Sequence, residues 1–357
     1  MSVINAVWSG DSVWAVLARA SLAPASLLFR LATTARNALY DRGTLPVIRA
    51  GIPVVSVGNL AVGGTGKTPV SAWFVSELAA RGAQPAIILR GYGGDEPLVH
   101  ERLNPGVRVI TGADRVSGAR IAAAAGADVA VLDDAFQHRR LARDEDIVLV
   151  SADRWREPIR VLPAGPWREQ LASMARATFV IVTRKAAGMP DAAALLDRLA
   201  PLTRTGLGAV VSLELGDLHD AVTGAVRPLS VLRETRVLVA AGIGDPAALA
   251  AQLRQAGADV TMRSFSDHHV YESSDIANLV RDAHTVDHVV STLKDAVKLA
   301  PRWPREGPPL WYVSLRCRID AGQAEVYAML DRILAARLNS NSTGAAGRAS
   351  TTLDHDH

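Results

Sequence analysis

The sequence predicts an α/β protein with a mostly parallel sheet flanked by helices. Short apolar runs typical of buried strands alternate with alanine-rich helical stretches along most of the 357 residues. Strands that alternate with helices are joined by crossover connections, which give a parallel sheet covered on both faces. A hydrophobic content of 49% and a charged content of 21% fit a large core with a charged surface.

The first series of predicted elements lies within residues 51–200, which we interpret as the first domain. Its helices include Val70–Arg81 and Val116–Ala125. Its predicted strands are Val54–Val57, Ala86–Leu89, Val107–Ile110, Val129–Leu132, Ile147–Val150 and Phe179–Val182.

A second series lies within residues 201–321 and predicts a smaller α/β domain without a phosphate loop of its own. Its predicted helices are Pro246–Ala256 and Ser274–Ala283. Its predicted strands are Ala209–Leu213, Val237–Ala241, Val260–Met262, Val289–Thr292 and Leu310–Leu315. We expect residues 322–338 to form a closing helix that returns to the first domain. Residues 339–357 are rich in Ser, Thr, Gly and Ala, which predicts a disordered tail.

Residues 1–50 have the pattern of an amphipathic helix. They contain five arginines and only two acids, set among apolar side chains. The longest uncharged stretch, Ala20–Phe29, is ten residues, whereas a bilayer span needs about 20 apolar residues. Basic residues on an apolar helix suit the surface of an anionic membrane. The alternative is a helix packed on its own domain, because amphipathicity serves both purposes.

Charge and cysteine content limit the classes of partner. The net charge of +3 and the isoelectric point of about 9.2 lean basic. The chain has no run of Lys and Arg and few aromatic residues, so we expect no nucleic-acid partner. The single cysteine, Cys317, excludes an internal disulfide and a cysteine-based zinc site.

A phosphate-binding loop follows the first predicted strand. Ala61-Val-Gly-Gly-Thr-Gly-Lys-Thr68 fits the Walker A pattern with Ala in place of the first Gly. Glycines let backbone N–H groups turn toward phosphates, and the helix that follows adds the positive end of its dipole. Lys67 would reach the β- and γ-phosphates, and the Thr68 hydroxyl would coordinate Mg²⁺. The predicted nucleotide-binding residues are Gly63, Gly64, Thr65, Gly66, Lys67 and Thr68.

An acidic pair ends a buried strand, where a Walker B carboxylate is expected. Four apolar residues of Val129-Ala-Val-Leu-Asp-Asp134 carry Asp133 and Asp134 to the carboxyl end of the strand. Ligands of open α/β sheets bind at that edge, so one of the two acids would hold Mg²⁺ directly or through water. Together with the phosphate loop this predicts a P-loop NTPase-like fold, which many functions share.

Further motifs resemble those of one family. In chain order they are Val57–Leu60, Arg90–Gly94, Asp95–Pro97, Asp134–His138, Leu162–Glu169, Val182–Lys185, Phe265–Tyr271 and Thr292–Leu299. In this order and on a strand–loop–helix frame they resemble the tetraacyldisaccharide 4′-kinases of lipid A biosynthesis. The resemblance departs from the family at Arg90–Pro97, where two motifs that are usually separated by a longer loop are fused. Ala135 and Leu293 also differ from the residues that the family favours.

The resemblance implies a lipid kinase that uses ATP and Mg²⁺. The reaction would transfer the γ-phosphoryl group to the 4′-hydroxyl of an acylated glucosamine disaccharide 1-phosphate. By resemblance, Asp95 and His268 are the catalytic pair, and Arg115, Gln137 and Arg168 are further active-site residues. The implied metal-associated residues are Thr68, Asp133, Asp134 and Glu169.

The catalytic pair also has a physical rationale of its own. Attack by a sugar hydroxyl needs a nearby base, and a histidine in contact with a carboxylate can orient it and tune its pKa. The residues alone leave alternatives open. Asp95 could be a turn residue before Pro97, His268 and His269 could cap a helix start, and either histidine could be the catalytic one.

Rival classes remain at this point. They are a membrane-associated P-loop ATPase of another class, a metallochaperone GTPase and a non-catalytic nucleotide-gated module. Val62 stands where partitioning ATPases have a lysine, and Thr292–Asp295 resembles a guanine-reading segment only superficially. The lipid kinase implies a peripheral protein on the cytoplasmic face of the inner membrane, and we expect it to be a monomer.

Overall fold

The computed structural model describes residues 3–91, 94–244, 246–267 and 269–349. The chain divides into two compact units, and each unit is built from separate stretches of sequence. The first comprises Met1–Arg90, Gly106–Val211 and Ile319–His357. The second comprises Gly91–Pro105 and Ser212–Arg318.

The strands occur in chain order as follows. They are β1 Val54–Asn59, β2 Pro85–Leu89, β3 Arg108–Thr111, β4 Val129–Asp133, β5 Glu145–Ser151, β6 Phe179–Arg184, β7 Gly208–Asp220, β8 Val226–Arg227, β9 Arg236–Ala241, β10 Asp259–Ser264, β11 His288–Thr292 and β12 Leu310–Ala321. Each predicted strand coincides with one of these. The structure adds β8, a two-residue strand that is too short to leave a periodic signal.

The helices follow the same chain order. They are α1 Val3–Ser9, α2 Val13–Asp41, α3 Lys67–Ala80, α4 Glu96–Leu103, α5 Arg115–Ala124, α6 Met189–Leu199, α7 Pro246–Gln255, α8 Ser273–Ala283, α9 Leu293–Leu299 and α10 Gln323–Ala349. The sequence analysis did not predict α4, α6 and α9. Two of these are short, and α4 and α6 each carry a proline near their first residue.

In the first unit the strands follow the order β3-β2-β4-β1-β5-β6-β7. The ladders from β3 through β6 are parallel, as the alternation of strands and helices predicts. Strands β1, β2, β4 and β5 are buried along their whole length, because helices cover both faces of the sheet. The loops at the carboxyl ends of β1, β4 and β5 therefore share one edge.

In the second unit the order is β10-β9-β11-β12-β7, with β8 antiparallel to β7. Helices α7 and α8 pack on cores that include Leu253 and Leu279. The stretch Gly91–Pro105, which the sequence analysis placed in the first domain, groups with this unit. Its helix α4 packs against α9.

Helix α2 dominates the N-terminal region. Its 29 residues extend about 43 Å at 1.5 Å per residue, and Pro24 lies inside it. By length and composition alone it is long and apolar enough to cross a membrane, which the broken apolar runs in the sequence did not suggest. Its exposed large side chains include Trp14, Leu17, Leu28 and Leu31.

The C-terminal helix coincides with the predicted closing helix and extends further. Helix α10 begins at Gln323 and continues to Ala349, past the predicted end at Leu338. In the first unit its Arg332 side chain pairs with Glu145 at 2.8 Å. Residues 350–357 of the predicted tail lie outside the described residues.

Candidate active site

The phosphate loop connects β1 to α3 in the first unit. Strand β1 ends at Asn59, and α3 begins at Lys67 after Gly66, whose φ of 83° is left-handed. The Asn59 side chain donates a hydrogen bond to Thr65 Oγ1 at 2.8 Å, and Thr183 Oγ1 donates one to the Thr65 carbonyl at 2.9 Å. Residues of β1 and β6 therefore anchor the loop at its centre, where glycines permit the backbone turn.

The acidic pair at the end of β4 faces this loop. Asp134 Oδ1 lies 3.8 Å from Lys67 Nζ and 2.8 Å from Arg168 Nη1. Asp133 is buried, and Ser71 on α3 donates a hydrogen bond to it at 3.1 Å. Asp134 adopts a φ of 51°, a left-handed conformation that is uncommon outside Gly, Asn and Asp. The structure thus brings Lys67, Asp134 and Arg168 together.

Gln137 and Arg168 are tied into the same cluster. The Gln137 amide donates to the Asn59 carbonyl at 2.9 Å, and Arg168 Nη1 donates to Gln137 Oε1 at 3.4 Å. The Arg168 backbone N–H donates to the Leu60 carbonyl at 2.6 Å. The segment that contains Arg168 is therefore fixed beside the start of the phosphate loop.

Glu169 is held differently from the other acids. Its side chain is 1% exposed and accepts hydrogen bonds from both Arg176 nitrogens, at 2.8 and 2.7 Å, and from Asn37 at 2.7 Å. Burial would raise its pKa, but the hydrogen bonds and charge of Arg176 outweigh burial and hold the pKa below its ordinary value. Both carboxylate oxygens of Glu169 thus accept hydrogen bonds from side chains of the first unit, which fixes the orientation of the carboxylate.

Arg115 is the first residue of α5 and is buried in the first unit. Its Nη1 donates a hydrogen bond to the Gly112 carbonyl at 2.6 Å. Burial, together with the charges of Arg115 and Arg143, lowers the pKa of His138 from 6.5 to about 4. His138 is therefore neutral near pH 7, and Arg115 contributes positive charge beside the loop that follows β4.

Asp95 lies at the centre of a separate cluster in the second unit. It is 2% exposed at the start of α4, and Lys298 Nζ on α9 lies 3.8 Å from its Oδ2. The same ammonium lies 3.5 Å from Asp295, which accepts a hydrogen bond from the Tyr271 hydroxyl at 2.9 Å. Burial and the neighbouring Asp295 raise the pKa of Tyr271 well above its usual range, so this phenol stays protonated.

His268, the predicted partner of Asp95, lies outside the described residues. The neighbouring His269 is described, and its Nε2 pairs with Asp275 Oδ2 at 2.9 Å. Its ring stacks on Phe265, and its carbonyl accepts a hydrogen bond from Lys298 at 3.1 Å. Helix α8 begins after Glu272 with a capping box, so His269 is not its cap residue.

Several residues in these clusters could not be predicted from the sequence as members of the site. Asn37 and Arg176, which bind Glu169, lie on a helix and a 3₁₀ turn without a recognisable motif. Lys298 lies within Thr292–Leu299, but only the packing of α9 against α4 connects it to Asp95. Arg154, directly after β5, lies against the phosphate loop.

The residues of the first unit fit a Mg²⁺–nucleotide complex. Gly63 and Gly66 adopt positive φ angles of 113° and 83°, which a side chain would strain, and they leave the backbone of the loop open to phosphate. The Thr68 hydroxyl and the carboxylates of Asp133 and Asp134 are hard oxygen donors of the kind Mg²⁺ prefers.

Comparisons with known proteins identify the family. A family profile described as "LpxK: Tetraacyldisaccharide-1-P 4'-kinase" matches residues 18–94 and 93–335. The chain belongs to this family. The two matched segments meet at residues 93–94, within the fused motif Arg90–Pro97 that the sequence analysis singled out as a shortened loop.

Relatives of the LpxK family cover most of the chain. A tetraacyldisaccharide 4'-kinase of Anaeromyxobacter sp. (strain K) is 40% identical over 328 residues, which are 84% of this chain and 86% of that protein. The enzyme of Azoarcus sp. (strain BH72) is 37% identical over 85% of this chain and 89% of its own length. A crystal structure of LpxK from Aquifex aeolicus in complex with ATP matches with a TM-score of 0.70 at 26% identity. That match covers 88% of this chain and 99% of the other.

These matches confirm the predicted fold class and the family, and they support ATP with Mg²⁺ as the phosphate donor. The predicted roles of the individual site residues stay predictions.

Proposed function

We propose that the protein transfers the γ-phosphoryl group of ATP to the 4′-hydroxyl of tetraacyldisaccharide 1-phosphate, forming lipid IVA. The observation that carries the proposal is the cluster of Lys67, Asp134 and Arg168 at the phosphate loop, found in a chain of the LpxK family. Two cations and an acid at the carboxyl edge of a parallel sheet suit a bound Mg²⁺–triphosphate.

Different residues of the site bind the phosphates and the metal ion during phosphoryl transfer. The loop from Gly63 to Thr68 binds the phosphates, with Lys67 on the β- and γ-oxygens. Bound Mg²⁺ would be held by Thr68, Asp133 and Asp134 and would neutralise charge on the phosphates. Glu169 is the fourth residue proposed to associate with the metal, and Arg176 orients its carboxylate.

In this proposal Asp95 is the base that accepts the proton of the 4′-hydroxyl. Asp95 is buried, and Lys298 Nζ lies 3.8 Å from its Oδ2, which fixes the orientation of the carboxylate. His268 is proposed as its partner. Arg115, Gln137 and Arg168 contribute positive charge and hydrogen bonds at the same edge of the first unit.

The kinase assay separates this function from that of a membrane-associated ATPase. Purified protein in detergent micelles is supplied with ATP, Mg²⁺ and tetraacyldisaccharide 1-phosphate, and the 4′-phosphorylated lipid is measured together with ADP. We expect ADP to form in equal amount to product and to depend on the lipid. ADP release without lipid product would reject the kinase and favour the ATPase.

We also propose that the protein is peripheral to the cytoplasmic face of the inner membrane, where ATP is available. The exposed apolar side chains of Leu17, Leu28 and Leu31 on α2 support a helix that lies in the interface. Arg19 folds back to donate hydrogen bonds to the carbonyls of Val7 and Gly10, which joins α1 to α2.

Sedimentation with anionic liposomes tests this placement. The double variant Leu17→Asp, Leu28→Asp should lose most of its binding, whereas Val226→Asp, an exposed apolar residue of the second unit, should keep it. Resistance of the wild type to carbonate extraction would indicate a spanning helix instead. Equal sedimentation of both variants would favour α2 as a helix that only packs on its own unit. Sedimentation velocity in detergent tests the proposed monomer.

A further inference from the structure

The turn after β5 presents Arg154 to the phosphate loop. The Asp153 carboxylate accepts hydrogen bonds from the backbone N–H groups of Lys185, Ala186 and Ala187, at 2.8, 2.8 and 2.7 Å. The Arg154 backbone N–H donates to the Ser151 carbonyl at 3.2 Å. The backbone that carries Arg154 is therefore pinned to the turn after β6, and its position at this edge of the sheet is fixed.

The Arg154 guanidinium covers the middle of the phosphate loop. A Cβ atom added to Gly63 would lie 2.8 Å from Arg154 Nη1 and 3.3 Å from its Cζ. A Cβ atom on Gly64 would lie 3.6 Å from the same nitrogen. A side chain at Gly63 would have to displace this guanidinium, in addition to straining a φ of 113°.

Arg154 differs from the other arginines at this site in its partners. Arg168 is paired with Asp134 at 2.8 Å, and Arg176 is paired with Glu169 at 2.7 Å. Among the described residues no carboxylate lies within 4.0 Å of the Arg154 guanidinium, which is exposed to solvent. A cation held over a phosphate loop without an acidic partner is available for an anionic ligand.

The chemistry of phosphoryl transfer identifies that ligand. The backbone of a Walker A loop and its Lys cradle the β- and γ-phosphates, and Gly63 and Gly64 lie within this loop. A guanidinium carries five N–H donors in a planar fork that matches phosphate oxygens. In P-loop enzymes an arginine supplied in cis or in trans stabilises the charge of the transferring group.

We propose that Arg154 is a catalytic arginine supplied in cis, which contacts the γ-phosphoryl group as it leaves ATP. The bond between the γ-phosphorus and the β–γ bridging oxygen breaks, and a new bond forms from that phosphorus to the 4′-oxygen. The bridging oxygen leaves with ADP, and the hydroxyl proton passes to the base. Arg154 donates hydrogen bonds to the γ-oxygens throughout. This assignment rests on the proposed kinase function.

Substitution of Arg154 tests the proposal against a matched neighbour. Arg156 is also exposed, and among the residues that the structure describes its guanidinium donates only to the carbonyls of Asp153 and Trp155, so Arg156→Met is the control. Arg154→Met should lower kcat about 10³-fold, the low end of the effect of such arginines. Arg154→Lys should recover only part of that loss, because the planar fork is missing. Arg156→Met should retain wild-type turnover.

Equilibrium binding gives a readout that does not depend on turnover. Calorimetry with Mg²⁺–ATP and Mg²⁺–ADP should show that Arg154→Met loses roughly tenfold in ATP affinity, the order of one charge-assisted contact, and keeps its ADP affinity. Equal losses for both nucleotides, or a kcat within twofold of wild type, would overturn the proposal. If Arg154→Met loses thermal stability but keeps its affinity for both nucleotides, Arg154 only covers the phosphate loop and the proposal is wrong.

Failure of the underlying function gives a different result. If the wild type forms no 4′-phosphorylated lipid, the proposed kinase fails, whereas the comparison of ATP with ADP still decides whether Arg154 contacts the γ-phosphate.

Discussion

Asp134 and Asp95 are two acids that the protein holds in opposite ways. The Asp134 side chain is 36% exposed and faces Lys67 and Arg168. Asp95 is 2% exposed and faces the ammonium of Lys298. A hydrated acid between two cations can release them to a phosphate and bind a metal ion instead. The exchange costs little, because water solvates each partner as it leaves. A buried acid cannot exchange partners in this way, which suits a group that handles one proton in a fixed orientation.

Removal of the buried acid should have the largest effect. Asp95→Asn keeps the size of the side chain but removes the base, so kcat should fall by about 10²- to 10⁴-fold, with ATP affinity retained. Steady-state kinetics with the lipid acceptor and calorimetry with Mg²⁺–ATP measure the two quantities. Glu101→Gln, an exposed acid on the same helix α4, should behave as wild type. Near-normal turnover of Asp95→Asn would place the base elsewhere.

Removal of Lys67, which lies beside the exposed Asp134, should lower both the turnover and the affinity for ATP. Lys67→Met should reduce kcat by about 10²- to 10³-fold, in line with the loss of one preorganised group, and should also weaken ATP binding. It thereby contrasts with Asp95→Asn, which changes turnover alone. The same kinetic and calorimetric measurements apply. A Lys67→Met variant with normal ATP affinity would contradict the proposed contact of Lys67 with the phosphates.

A smaller effect is expected from pH at the loop after β4. The native pKa of His138 is about 4, below its ordinary 6.5, because burial and Arg115 disfavour the charged ring. Above pH 6.5 the ring is neutral in both the folded and the unfolded state, so His138 does not reduce stability there. As the pH falls from 6.5 toward 4, the unfolded state binds a proton that the folded state does not bind, and the free energy of unfolding decreases. His138 is partly exposed, so we expect a loss of about 1 kcal/mol after screening by solvent. Urea unfolding measures the free energy of unfolding of wild type and of His138→Gln. As the pH falls from 6.5 to 4, this free energy should decrease more for wild type than for the variant. A difference that is independent of pH would contradict the lowered pKa.

Local signals accounted for the parts of the fold that the sequence predicted well. Apolar runs such as Val129–Leu132 are buried on both sides, so their composition alone marks them as central strands. The phosphate loop is a contiguous motif whose chemistry depends on neighbouring residues. The predicted ends of β7 and β12 fall short because the later residues of these strands form no apolar run. Those of β7 alternate between buried and partly exposed positions, and those of β12 are partly or fully exposed.

The parts that could not be predicted depend on contacts between distant segments. Lys298 pairs with Asp95 across more than half of the chain, and no spacing rule connects the two residues. Arg154 lies on an ordinary turn, and only its approach to Gly63 distinguishes it from Arg156. The engagement of Glu169 by Asn37 and Arg176 likewise depends on the position of α2.

The assignment of Gly91–Pro105 to the second unit has a consequence for how the chain is made. The ribosome releases Asp95 early, but its partner Lys298 is added only after the whole segment 106–211 has been synthesised. Because domains tend to fold as units from the N-terminus, Gly91–Pro105 must wait outside the ribosome until Ser212–Arg318 has been synthesised. A fragment that begins at Ser212 therefore lacks part of its own unit, including the acid. Expression of this unit on its own therefore needs Gly91–Pro105 joined to Ser212–Arg318.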